Sequence, residues 1–202
     1  LDYRDPYSLN TIYPPGPLDR PLREKMERKV LSGATRVTAV SEGYARRQAE
    51  FGGCEATAIL NGWEPSDGQA ERPVTLPGAT DPLVLAHTGT IYPVAHDLQS
   101  LVDGIVAAVA DGVRLRIASC GSGGRFLQDA LAPHGLDKIV DDAGMVSRQE
   151  AVAMRAESSA TVLFLPSRPE DDGTIPSKVF DYIVTGRPVL AVGDPACEPG
   201  RI

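Results

Sequence analysis

Near the end of the chain, the run PSRPEDDGTIPSKVFDYIVTGRPVLAVG sets a lysine and an aspartate three residues apart, Lys178 and Asp181. If Val179, Phe180, Ile183 and Val184 form the apolar stripe of a helix over 176–185, then Lys178, Asp181, Tyr182 and Thr185 fall on its polar face. The first turn of such a helix offers the unpaired amides of Ser177 and Lys178 and the positive end of the helix dipole, which favour an anion. A diphosphate held there brings its sugar ring near Lys178 and its ribose near Asp181, whose carboxylate can accept hydroxyl hydrogen bonds. The same spacing also makes an ordinary surface ion pair, worth about 0.2–0.5 kcal/mol.

Other residues offer chemistry with less context. Gly89, in the segment TGTIY, either lets a ligand approach the backbone or simply turns a strand into the next element. Gly121, Gly123 and Gly124 form a second glycine-rich loop, although G-S-G-G lacks the spacing of the dinucleotide fingerprint. Arg4 and Asp5 either face a cleft from the end of a strand or form a turn-stabilising ion pair. His87, His96 and His134 stand far apart, no two at metal-ligand spacing, so no metal is expected. No G-x-S-x-G nucleophile elbow occurs.

The elements that must position these residues follow from periodicity. Leu22, Met26 and Val30 recur every four residues after Asp19 and Pro21, which predicts an amphipathic helix to about residue 31, with Glu24 and Arg28 paired on its wet side. Strands are expected at 36–40 and 56–60, around a helix that Ser41 caps and Gly52–Gly53 ends. The leading segment LDYRD reads as a further strand. Residues 65–82, rich in proline and polar residues without a period, read as a linker. Beyond it, strands at 83–87, 113–119, 138–140, 161–166 and 188–192 alternate with helices. One is capped by Asp97, and another opens with the capping box Ser147-x-x-Glu150. That alternation predicts a doubly wound parallel α/β sheet, whose ligands bind outside the carboxyl ends of the strands. The loops at 88–97, 120–124 and 166–178 are therefore the ones to watch.

Bulk properties narrow the function classes. The chain has 202 residues, of which 42% are hydrophobic, and a mean hydropathy of -0.13. These values exclude fibrous, disordered and membrane-spanning chains. Its 27 acidic residues outweigh 20 basic ones, for a net charge of -7, with no basic block to hold a nucleic acid, so any phosphate must sit in a local pocket. Cys54, Cys120 and Cys197 read as free thiols of a reducing compartment. The length suits one large domain, or one domain and part of another.

The order of motifs resembles the retaining GT-B glycosyltransferases of family four, which use nucleotide sugars. The matching segments are TAVSEGYARRQAEFG, AILNGWEP, HTGTIYP, HDLQSLVDGI and, most specifically, GTIPSKVFDYIVTGRPVLA. The resemblance implies a GT-B architecture. Residues 1–64 would be the C-terminal part of a Rossmann-like acceptor-side domain, 65–82 a linker, and 83–202 a Rossmann-like donor domain truncated at its end. It implies that Asp181 takes the place of the glutamate that binds the donor ribose. Gly89 and Thr90 would approach the donor phosphates, with Ser177 and Lys178 assisting, Thr174 would belong to the donor-binding set, and the backbone at Met145 and Val146 would meet the base. Arg4, Asp5 and Lys178 would serve the reaction centre.

The sequence departs from the family pattern where Gly173 stands in place of the first of two glutamates, with Glu170, Asp171 and Asp172 nearby. It departs again where His96 stands for a basic residue. The implied activity is transfer of a sugar from a nucleoside diphosphate sugar to an acceptor hydroxyl with retained configuration, in polysaccharide or glycoconjugate synthesis, with no separate cofactor and no metal. The acceptor would be a glycan, a lipid or a small molecule. The location would be cytoplasmic, with peripheral membrane association through a preceding domain. A nucleotide-sugar epimerase of the same fold and a non-catalytic nucleotide-binding module are the alternatives.

Overall fold

From Leu83 onward, strands and helices alternate, and the strands assemble into one parallel sheet. In chain order they are β3 (Leu83–Thr88), α3 (Leu98–Ala110), β4 (Leu115–Cys120), α4 (Gly124–Leu131), β5 (Val140–Asp142), α5 (Arg148–Glu157), β6 (Ala160–Phe164), α6 (Lys178–Ile183) and β7 (Val189–Val192). Before them come α1 (Arg20–Ser32), β1 (Val37–Ala39), α2 (Glu42–Gly52) and β2 (Ala56–Ala58). The structure is a computed structural model and describes residues 1–10, 14–63, 81–168, 171 and 173–202. Most of the expected linker, and Glu170 and Asp172, lie outside the described residues.

The chain divides into two units. The second comprises Trp63–Leu165 and Ser177–Gly193 and holds the five-stranded sheet, in the order β5-β4-β3-β6-β7. The chain runs outward from β3 through β4 to β5 and then returns to β6 and β7, so the order reverses between β3 and β6. Right-handed crossovers therefore place α3 and α4 on one face and α5 and α6 on the other. On the α3/α4 face, Leu85, Ile117, Val162, Phe164 and Val192 pack with Leu101, Val102, Ile105, Leu127 and Leu131 into the main core. Asp97 caps α3 through the Ser100 amide, and the Ser147–Glu150 capping box opens α5 as expected.

The first unit comprises Leu1–Gly62, Pro166–Pro176 and Asp194–Ile202. Two later segments of the chain thus group with the early residues in this unit. The strands β1 and β2 pair in parallel. Ser41 caps α2, and Gly53 ends it in the left-handed region.

Three local expectations change in this unit. LDYRD is not a strand but a single parallel bridge between Asp2 and Thr38. Arg4 and Asp5, beyond that bridge, are exposed, and Arg4 lies 3.9 Å from the carboxylate of Asp2. The third change is in α1, which buries Glu27 and Leu31 and exposes Leu22, Met26 and Val30. The reason is polar: the Glu27 carboxylate accepts from Tyr3 Oη, Ser8 Oγ and the amides of Tyr7 and Ser8, and so ties the N-terminal segment to the helix. Glu24 pairs with Arg20, leaving Arg28 to donate to the Phe51 carbonyl and cover its ring.

Candidate functional site

The carboxyl ends of β3, β4 and β5 are stitched into one polar floor. The Gly89 amide donates to the Cys120 carbonyl (2.7 Å), the Gly121 amide to the Gly144 carbonyl (2.7 Å), and Ser122 Oγ to Thr90 Oγ1 (3.1 Å). Two glycines allow this closeness. Gly121 has φ +96°, and a β-carbon on it would lie 2.6 Å from the Gly89 carbonyl oxygen. Gly89 has φ +115°, and a β-carbon there would lie 2.5 Å from Lys178 Cε and 2.8 Å from its Nζ. Gly89 is thus sandwiched between the Gly121 loop and the lysine side chain. Both conformations are ones that side chains with a β-carbon rarely adopt.

Lys178 opens α6 and is half-buried; burial pushes its amine below the usual lysine range. Its Nζ donates to the Thr90 carbonyl at 3.3 Å. No ion pair joins it to Asp181, which is itself partly buried one turn further on, so the surface-pair alternative does not hold.

The α6 helix also differs from its expected outline. It runs only from Lys178 to Ile183, and Ser177 precedes it without a side-chain cap. Its buried face carries Val179 and Tyr182, while Ile183 and Val184 are exposed, so the stripe is turned relative to the apolar pattern. Tyr182, 0% exposed, is held in place by its hydroxyl, which accepts from the Thr88 amide (3.1 Å) and lies 3.3 Å from Thr88 Oγ1. Burial raises that phenol's pKa. A helix this short has little dipole to offer, and the Gly89 amide is already spent on the Cys120 carbonyl, so the Lys178 charge must do most of any anion binding.

The glycine-rich loop at 121–124 owes its glycines to packing. A β-carbon on Gly123 would lie 2.9 Å from the His87 ring, and one on Gly124 would collide with Asp142. His87 is buried and meets Phe164 edge-on at 5.7 Å. Burial, with Lys178 and His96 nearby, pushes its pKa down to about 3, so the ring is neutral. His96 stacks on Phe164 at 4.9 Å, and its Nδ1 accepts from the Tyr92 amide. These contacts fix the conformation of the loop that starts at Gly89. Met145, 86% exposed, and Val146 follow Gly144 at the same sheet edge.

Among the expected site residues, the structure therefore brings Gly89, Thr90 and Lys178 together. Thr174 belongs to the first unit, where its hydroxyl lies 2.6 Å from that of Tyr44; Arg4 and Asp5 are also in that unit. Sequence reasoning missed His87, Thr88 and Tyr182. Only the strand's alternation could have flagged the first two, and Tyr182 was misplaced by its own mixed polarity.

No family model matches the sequence, and no curated protein matches it significantly. Solved structures do resemble it. Sucrose-phosphate synthase from Thermosynechococcus elongatus aligns over 95% of this chain and 50% of its own, with 19% identity and a TM-score of 0.59. A lipopolysaccharide outer core galactosyltransferase, WaaB, aligns over 78% of this chain and 43% of its own, with 15% identity and a TM-score of 0.55. The pneumococcal O-GlcNAc transferase GtfA, solved in complex with UDP and GlcNAc, aligns over 84% of this chain and 32% of its own, with 12% identity and a TM-score of 0.55. The chain thus has the α/β fold of GT-B glycosyltransferases and spans half or less of the length of these structures. Among the described residues, no helix is long and apolar enough to cross a membrane.

Proposed function

We propose that this chain holds the nucleoside diphosphate of a nucleotide sugar and serves glycosyl transfer from it to an acceptor hydroxyl, with retained configuration, in polysaccharide or glycoconjugate synthesis. The observation that carries this reading is Lys178 lying across Gly89 at the carboxyl end of β3. A cation and the adjoining Thr90 and Ser122 hydroxyls stand beside the point where the strand order reverses, the usual ligand position in such sheets. The charge that grows on a departing diphosphate needs a preorganised cation of this kind. In this reading Ser177 assists at the phosphates, Asp181 accepts from the ribose hydroxyls, and the backbone at Met145 and Val146 faces the base. The likeness to glycosyltransferases, one of them solved with UDP, supports the choice of ligand.

Titration calorimetry with UDP, GDP and TDP, and with the corresponding nucleosides, tests the assignment. Lys178→Met should weaken the diphosphate about tenfold and leave the nucleoside unaffected, whereas Asp181→Ala should weaken both. Absence of any nucleotide binding at millimolar concentration overturns the reading. Acceptor-dependent release of nucleoside diphosphate separates transfer from epimerisation and from binding alone.

A further inference from the structure

Arg155 is a buried cation that the proposed site does not use. It stands in the last turn of α5 and is 5% exposed. Its Nη1 donates to Thr88 Oγ1 at 3.2 Å, while its Nε is buried without a partner. No carboxylate pairs with it among the described residues. A guanidinium taken out of water costs far more than one neutral hydrogen bond returns, and the C-terminal end of a helix offsets only a small part of that. An architecture that needed only a spacer here would be served better by an apolar side chain of similar volume.

Its position suggests what the charge is for. Thr88 and Cys120 are register partners on adjacent strands, on the sheet face that α5 and α6 cover. Thr88 Oγ1 meets Arg155 and Tyr182 together, and Gly89 leaves the strand from this same residue. Burial raises the pKa of the Cys120 thiol, and Arg155 and Lys178 both act on it in the opposite direction, with the Asp142 carboxylate acting against them. Two cations without a carboxylate partner thus flank the strand end beneath the Gly89–Gly121 contact, in a protein of net charge -7.

Resting on the diphosphate reading above, we propose that Arg155 is a positioning residue of the anion site. It holds the Thr88 hydroxyl, and so the strand end from which Gly89 and Thr90 leave, and it adds its uncompensated charge to that of Lys178 on an anion bound there.

Calorimetric titration of the 202-residue chain with inorganic pyrophosphate, paired with thermal melts, tests this. Arg155→Met should bind pyrophosphate about tenfold more weakly. Its melting temperature should be unchanged or raised, because an uncompensated buried charge has been removed. Arg155→Lys should recover most of the affinity. If Arg155→Met binds as the parent does, or if it melts well below the parent or fails to fold, the proposal is overturned and Arg155 belongs to the architecture alone. If the parent itself binds no pyrophosphate, the diphosphate reading fails and takes this inference with it; the two failures are therefore distinct.

Discussion

The side chain of Lys178 occupies the space that a β-carbon on Gly89 would fill, with Cε 2.5 Å and Nζ 2.8 Å from that position. One residue's lack of a side chain is therefore what seats the other's charge. Gly89→Ala should expel the lysine and strain a backbone at φ +115°. The expected cost is about 1–3 kcal/mol of stability in urea unfolding, with loss of nucleoside diphosphate binding by calorimetry. An alanine variant that binds as tightly as the parent would show that the contact does not matter to the ligand.

Tyr182 joins α6 to the end of β3 through a single hydroxyl. Tyr182→Phe keeps the ring but leaves the buried Thr88 amide without that acceptor, a loss of about 1–3 kcal/mol. Chemical denaturation measures it. Tyr182→Phe should also loosen α6, visible as faster amide exchange at Phe180 and Val184, which donate to the carbonyls of Ser177 and Phe180. Unchanged exchange would mean that apolar packing alone seats the helix.

His87 makes stability depend on pH. Its pKa falls from 6.5 unfolded to about 3 folded. Above pH 6.5 neither state is protonated there and the group contributes no pH dependence. As the pH falls below that value, the unfolded chain takes up a proton that the folded chain refuses. Stability then drops by up to about 1.4 kcal/mol per pH unit until the folded ring itself titrates. Urea midpoints at about pH 7.5 and about pH 5 should differ in the parent, and differ less in His87→Leu. Equal differences in the two proteins would refute a buried neutral ring.

In the first unit, the Glu198 carboxylate accepts from the amides of Glu42 (2.6 Å) and Gly43 (2.7 Å) and so caps α2 from a segment far along the chain. Glu198→Ala should cost about 1–2 kcal/mol. Gly43→Ala should cost more, since its β-carbon would lie 2.8 Å from Gly173 Cα and 2.9 Å from Glu198 Oε2. Thermal melts of both variants check the order.

Much of this was legible in the residues themselves. Strand and helix alternation, the Ser41 and Asp97 caps and the Ser147–Glu150 box depend on neighbours a few positions apart, and all appear where local chemistry puts them. Where a long-range polar contact outbids local pattern, the reading turns over. Glu27 pulls α1 onto its charged side by gathering four hydrogen bonds, and Tyr182 rotates α6 by reaching Thr88. A six-residue helix is too short to display a period that would have warned of it.

By itself, then, the sequence determined the alternating α/β architecture, the caps and the presence of Gly89, Lys178 and Asp181 near strand ends, because these follow from short-range periodicity and residue type. Only the tertiary structure decided that Gly89 seats Lys178, that Gly121 and Gly123 exist for the backbone of Gly89 and the ring of His87, and that Arg155 lies buried beneath Thr88. Those pairs stand 32 to 89 positions apart, and sheet register and close packing, which no local pattern encodes, are what bring them within ångströms.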